Sequence, residues 1–403
     1  MRRRANWRRD DEGRTPPGEG AHGFEHADLL TVRAPKPTRI LAATQDSKPI
    51  AGTRATFGEA KQMYAALGAA ERVDLFEVND KHGLSKPKRE KAVEWMCQWL
   101  VGERRTVIEG ELTLQPDKAL QVTRTGQVLR EFEGEATVPE LNLSRARRLA
   151  SARRRFWREH SSQECLAEVR RLIGCRRELA KPTVAQVGEP VRREGYRIEK
   201  FVIRRADEVP VPALLFVPGG AEGRLPATLY VDGRGKAADA GPDGPMAALA
   251  RQGRVVMAID VRGTGETTDA WQLRARKRPV YPGDEYRSAM ISMHIGRSLL
   301  GQRVEDVLAA LDVLAARADV APRRIGLVGV GRAGPVALHA AALDGRVAEV
   351  ELRRSIASWI DDVVAKPLGE NLIAHVVPAA LETYDLPDLV RAMAPRKVAS
   401  QSR

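Results

Sequence analysis

The sequence is short of cysteine, of aromatic residues and of long apolar runs, and each shortage excludes something. Three cysteines, Cys97, Cys165 and Cys175, do not make a disulfide framework, and no two of them stand in a C-x-x-C pair. The histidines are scattered and do not combine with those cysteines at zinc-ligand spacings, so no metal and no cofactor are expected. No run of 18 apolar residues occurs, so no helix is expected to span a membrane. Aromatics make up 5% of the chain, and the core must therefore be assembled mostly from Leu, Val, Ile and Ala. The arginines near the N-terminus are followed by no apolar stretch and no small-residue cleavage site, so they do not read as a secretory signal. The sequence names no compartment.

What is present is enough to fold. A hydrophobic fraction of 43% over 403 residues rules out wholesale disorder and leaves room for two to three domains of roughly 150 residues each. Lys and Arg outnumber Asp and Glu by 66 to 53, a net charge of +13. The excess has two local clusters. Arg2, Arg3, Arg4, Arg8 and Arg9 belong to residues 1–22, which are expected to form a disordered basic arm. Arg145, Arg147, Arg148, Arg153, Arg154, Arg155 and Arg158 crowd one helix-like stretch together with Leu143, Ala146, Ala150, Phe156 and Trp157. That mixture suits a docked helix with a solvated basic face. No zinc-finger, KH or RRM pattern accompanies it, and no nucleic-acid partner is expected.

Residues 23–102 read as strand–helix–strand–helix. Thr38–Thr44 is a short buried strand. A helix follows it, with Thr56 and Glu59 as a T-x-x-E capping box and Gly68 closing its end. Val73–Val78 is the second strand, and the second helix turns Val93, Met96, Cys97 and Leu100 inward. Residues 103–195 are expected to connect. They hold a hairpin around Thr125-Gly126, a charged helical stretch over 142–178 and a loop from Pro182 to Pro190. Residues 196–399 alternate strands (198–204, 211–217, 227–231, 255–260, 325–330 and 347–352) with helices. This pattern predicts an α/β fold with a mostly parallel sheet and helices on both faces. There is also an internal echo. FEHADLLTVRAPKPT from Phe24 and YDLPDLVRAMAPRKV from Tyr384 match at a constant offset of 360 residues, through Asp28/Asp388, Leu29/Leu389 and Ala34-Pro35/Ala394-Pro395.

The chemistry gathers at three turns. Gly329-Val330-Gly331-Arg332-Ala333-Gly334 follows a strand and opens a helix. It fits a dinucleotide-binding G-x-G-x-x-G, with Glu351 lying 20 residues beyond Gly331, although that fingerprint belongs on the first strand of its unit. It also fits a nucleophile elbow, G-x-S-x-G, with Gly331 in the nucleophile position, where no side chain exists to form an acyl-enzyme. Val231-Asp232-Gly233-Arg234-Gly235 ends an earlier strand where such enzymes place an oxyanion-hole amide. Gly233, Arg234 and Arg332 are accordingly the candidate donors. Asp46 follows the first strand of the chain and His82 the second, the order in which an acid and a base close a Ser…Asp…His series.

At these residues the chain resembles the α/β-hydrolase superfamily, and more narrowly the acetylxylan-esterase-like, two-domain bacterial hydrolases. The likeness is carried by HADLL…APKPTRILAATQDSKPI and RVDLFEVNDKHGLSKPKREKAVEWMCQWL. In the second half it is carried by LYVDGRGK, AIDVRGTGET, GRSLLGQRVEDVLAALD and GLVGVGRAGPVALHAAALD. The resemblance implies hydrolysis of carboxylic esters, typically acetyl groups on plant polysaccharides, by a Ser-His-Asp triad without cofactor. By position, Asp46 and His82 are the acid and base of a first unit, and Gly331 is the degenerate nucleophile position of a second. The alternatives are a non-catalytic module that binds a carbohydrate or another partner, and an oxidoreductase using Gly329, Gly331 and Gly334. On this reading the chain is the end of one hydrolase unit followed by most of another, the fold being incomplete or permuted. Residues 24–102 are then expected to complete the sheet of residues 196–398.

Overall fold

The computed structural model describes residues 17–220, 222–268, 285–366 and 372–401. The expected disordered arm falls mainly on residues 1–16, outside the described residues. The chain divides into two compact units, residues 1–135 and 136–403.

The first unit is a parallel two-stranded sheet with its crossover helix. Strands β1 (Thr38–Ala43) and β2 (Val73–Val78) pair in register from Thr38/Val73 to Ala43/Val78. Parallel neighbours need such a crossover, and α2 (Ile50–Ala66) supplies it by burying Ala60 and Tyr64 against Ala69 and Val73. Short α1 (His26–Thr31) precedes β1, and α3 (Lys86–Met96) follows β2. Two expectations need correction here. Helix α2 starts six residues before Thr56, with Pro49 as its N-cap at φ −62°. Proline pre-sets a helical φ and no residue between Ile50 and Thr56 breaks the helix, so Thr56 and Glu59 lie inside it. Gly68 does end the turn, at φ +67°. In α3 the apolar face is rotated from the expected one. Cys97 is buried just beyond the helix, but Val93 and Met96 are exposed and Leu100 is 80% exposed. The helix instead turns Trp95 towards β1, where the Arg39 guanidinium lies 4.5 Å from the ring centroid and donates to the Lys91 carbonyl at 2.7 Å.

The expected hairpin in residues 103–140 does not form. Gly126 makes its turn at φ +73°. The flanking residues form single helical turns, α4 (Asp117–Leu120) and α5 (Val128–Glu131). Leu114 and Val122 are almost fully exposed, so the arms have no covered face to hold them as strands.

The second unit opens with α6 (Val138–Glu159) and α7 (Ser162–Leu172), each started by a capping box, Thr137 with Glu140 and Ser161 with Glu164. A nine-stranded sheet follows: β3 (Thr183–Gln186), β4 (Val191–Arg193), β5 (Tyr196–Arg204), β6 (Val211–Pro218), β7 (Leu225–Asp232), β8 (Val255–Ile259), β9 (Val320–Val330), β10 (Val347–Arg353) and β11 (Lys397–Gln401). Its order is β11-β10-β9-β7-β8-β6-β5-β3, with β4 also on β5. The run from β11 to β8 is parallel, and β6, β5, β4 and β3 are antiparallel. Strands β3 and β4 stand in and beside the segment expected to be loop. The residues of β3 are all exposed, so no alternation of apolar residues marks it.

Helices cover both faces: α8 (Pro245–Arg251), α9 (Tyr286–His294), α10 (Leu299–Ala315), α11 (Gly334–Leu343), α12 (Ala380–Thr383) and α13 (Leu386–Ala392). The larger core joins α7, α10, α11 and α13 to one face, and the smaller packs α8 on the other. Central β8 is buried along its whole length, whereas β10 alternates buried Val350 and Leu352 with open Glu349 and Glu351. That is the pattern of a strand covered on one side.

The echo is structural as well. Glu25 N donates to Asp28 at 2.6 Å to start α1, and Asp385 N donates to Asp388 at 2.8 Å to start α13. Each helix is followed by a cis X-Pro bond, Ala34-Pro35 or Ala394-Pro395, and then by a strand, β1 or β11.

Candidate functional site

In the first unit the two strand-end loops are laced together. Thr44 N donates to the Val78 carbonyl and Gln45 N to the Asp80 carbonyl, both at 3.0 Å. Asn79 Oδ1 accepts from Thr44 Oγ1 at 2.9 Å and from Gln45 Nε2 at 3.0 Å. This lacing sets Asp46 beside His82, whose Nδ1 donates to Asp46 Oδ2 at 2.8 Å. Asp46 Oδ1 accepts from Lys48 N at 3.1 Å and Ser47 Oγ at 3.2 Å. The acid is mostly covered, while the imidazole side chain is 83% exposed. Burial pushes the Asp46 carboxyl upward. The His82 hydrogen bond, the Lys48 amide and the Ser47 hydroxyl together outweigh it and hold the group below the usual aspartate range. From α3, Arg89 Nη1 donates to the Leu84 carbonyl at 2.5 Å and buried Lys88 Nζ to the Gly83 carbonyl, fastening the far side of the His82 loop. A carboxylate fixed on Nδ1 sets the tautomer and leaves Nε2 for proton transfer.

The sign of the pH dependence follows. A carboxyl with a depressed folded pKa adds stability above its unfolded value of 3.8, and that stability is lost as pH falls through the folded value. An NMR titration of His82 ring resonances should show a separate acid inflection below the usual aspartate range, as Asp46 takes up its proton. Asp46→Asn should abolish that inflection.

In the second unit β9 ends at Val330, a single 3-10 turn carries Gly331–Ala333, and α11 begins at Gly334. A Cβ on Gly329 would stand 2.7 Å from Ala337 Cβ, and one on Gly334 would overlap the Ser355 hydroxyl. Packing therefore demands glycine at 329 and 334. Gly331 differs: it has φ +58° and open space where a side chain would project. A left-handed φ at the tip of a strand-to-helix turn is the backbone conformation that a nucleophile elbow requires. The dinucleotide reading gains nothing from this setting. Six strands precede β9 in the unit, and the Glu351 carboxylate accepts from Arg353 Nε at 2.8 Å.

The candidate oxyanion donors gather at this turn. Gly233 lies against Arg332, where an added Cβ would meet Arg332 Cβ at 2.9 Å. The Gly233 amide is engaged by the Val330 carbonyl at 3.1 Å, and the Arg234 amide by Asp232 Oδ1 at 2.8 Å. Arg332 Nη1 donates to Glu285 Oε2 at 3.0 Å. Glu285 is buried and also accepts from Arg303. Burial pushes its carboxyl up, but the charges of Arg303 and Arg332 win and hold it low. His375 completes the surroundings. It is buried, its Nδ1 has no hydrogen-bond partner among the described residues, and burial and then the Arg303 charge push its imidazole down to about 4. Glu285, Arg303 and His375 lie in three separate segments with no shared motif, so no sequence signal joined them to Gly331. Among the described residues no His, Cys, Asp and Glu side chains converge as a metal site, and no helix is long and apolar enough to cross a membrane.

Comparison with known proteins places the second unit. Residues 146–402 match the family described as the Abhydrolase family. The chain is 25% identical over 219 residues to "Putative hydrolase YtaP" of Bacillus subtilis (strain 168), covering 51% of this chain and 68% of that protein. The crystal structure of a "putative acetyl xylan esterase" from Bacteroides fragilis NCTC 9343 superposes with a TM-score of 0.53 at 16% identity, over 70% of this chain and 76% of that one.

Proposed function

This chain belongs to the Abhydrolase family, and on that premise we propose that it is an acetylxylan-esterase-like member whose second unit forms no acyl-enzyme. One observation carries the reading. The strand-to-helix elbow is intact in its backbone, with glycine packed on both sides, and the residue at its tip is Gly331, at φ +58°. Acyl transfer through an elbow needs a hydroxyl or thiol at the tip, and glycine supplies neither. A second reading, a carbohydrate-binding module without turnover, is favoured by the amides of Gly233 and Arg234, which are engaged within the protein.

The test is direct. The purified protein, offered an activated acetyl ester and acetylated xylan, should show turnover indistinguishable from buffer and no burst. A fluorophosphonate probe should leave its mass unchanged. A stoichiometric adduct, or saturable acetate release, would overturn the proposal. Gly331→Ser should fold, since the space for the side chain is open, with a loss of about 1–2 kcal/mol for a left-handed non-glycine residue. Its thermal midpoint measures that loss.

A further inference from the structure

The outer face of α6 is a row of arginines unlike the other charged surfaces of this protein. With 100° between successive residues, Arg147, Arg148, Arg154, Arg155 and Arg158 fall with Ser144 and Ser151 in one arc of about 120°. All five arginines are exposed. The opposite arc carries Ala146, Leu149, Ala150, Arg153, Phe156 and Trp157. It is anchored by Trp157 Nε1 donating to the Thr383 carbonyl and Arg153 Nη1 to the Leu381 carbonyl, both at 2.9 Å. At 1.5 Å per residue the row is about 17 Å long. None of the five arginines makes an ion pair among the described residues. Several arginines elsewhere are matched locally, as Arg171 is by Glu168, Arg346 by Asp344 and Asp312, Arg353 by Glu351 and Arg54 by Glu77. The two carboxylates of α6 stand at its ends. Glu140 is spent on the Thr137 cap, and Glu159 lies at the edge of the arc.

Within the helix this arrangement is unfavourable. Arg154 and Arg158 are like charges at i,i+4, and no acid interrupts the row, so its close pairs repel one another. An external linear polyanion would reverse that sign. The guanidinium fork pairs bidentately with carboxylates. The row carries no exposed aromatic ring on which bases could stack, as single-stranded nucleic acid favours, and no apolar anchor for a lipid surface.

We propose that the arginine row on α6 is a docking surface for an acidic polysaccharide, a chain of sugars bearing carboxylates. The choice of a carbohydrate polyanion rests on the acetylxylan-esterase-like reading above. The row seats the chain by charge alone, so affinity falls steeply with salt.

Affinity electrophoresis of the full chain through gels containing polygalacturonate tests this, with neutral xylan gels and a labelled DNA duplex as the other arms. The polygalacturonate gel should retard the wild type at low salt and the neutral gel should not. The triple variant Arg147→Gln/Arg154→Gln/Arg158→Gln should lose at least tenfold in affinity. Arg323→Gln/Arg324→Gln, which removes two exposed arginines elsewhere on the unit, should bind as the wild type does. Failure of retardation, or equal loss in both variants, overturns the proposal. So does tighter binding of the duplex than of polygalacturonate at matched salt, which would make the row a nucleic-acid surface. Because binding is read without turnover, a catalytically active protein would refute the functional reading and leave this measurement standing.

Discussion

Replacing Arg262 with methionine should destabilise the second unit by about 3–5 kcal/mol, the cost of leaving a buried charge without its partner. Asp306 is fully buried. It accepts from Arg262 N and Nε at 3.0 and 2.9 Å and from Arg262 Nη2 at 2.6 Å. The same guanidinium reaches Gln302 Oε1 and Glu208 Oε2, each at 2.9 Å. Without that side chain, Asp306 keeps only the backbone amide of residue 262 and the 3.3 Å contact to Arg205 among the described residues. The double variant Arg262→Met/Asp306→Leu should not recover the loss, because removing Asp306 leaves the buried Arg205 guanidinium without its ion-pair partner. Urea midpoints of the single and double variants measure both effects. A single variant within 1 kcal/mol of wild type would mean that water reaches Asp306.

Gly301→Ala should also be costly, although helix propensity predicts the reverse. Alanine in a helix interior is worth about 1 kcal/mol over glycine. Gly301, however, sits in the first turn of α10 where that helix meets the end of α7. A Cβ would overlap the Ile173 carbonyl oxygen and stand 2.8 Å from its carbon. That carbonyl accepts from Ser298 Oγ at 2.7 Å, and Ser298 in turn caps Gly301 N at 3.0 Å. Overpacking costs about 1–3 kcal/mol and loss of the cap about 1 more, so packing outweighs propensity and a net loss of about 1–3 kcal/mol is expected. Gly326→Ala is the contrast. Its Cβ would meet only the flexible ends of Arg254 and Glu349 at 3.2 Å, and its thermal midpoint should move by the equivalent of less than about 1 kcal/mol.

The parts of the fold that were legible are those whose pattern is local. The central strands read as apolar runs because both of their faces are covered. The glycine turn after β9 stood out because small residues, Gly329, Ala333 and Gly334, flank Gly331 between a strand and a helix. The Asp46–His82 pair was legible from loop order alone, since parallel strands put consecutive strand-end loops side by side. What failed was set by surroundings. Residues 103–140 alternate well enough to suggest a hairpin, but the exposed Leu114 and Val122 have no covered face to pack on. Strand β3 is exposed on both faces and leaves no pattern. The face α3 turns inward was decided by Arg39 and Trp95, and Glu285 and His375 come near Arg332, the residue after Gly331, only through tertiary folding.

The repeated helix–turn–strand has a consequence for where the loop after it emerges. The strand β11 runs parallel to β10, and β10 to β9, so any loop continuing from the position of β11 starts on the edge of the sheet where β9 delivers Gly331. In the other copy, the loop continuing from that same position is the one bearing Asp46. In each unit the residue of interest thus stands just past the carboxyl end of a parallel strand, Asp46 after β1 and Gly331 after β9.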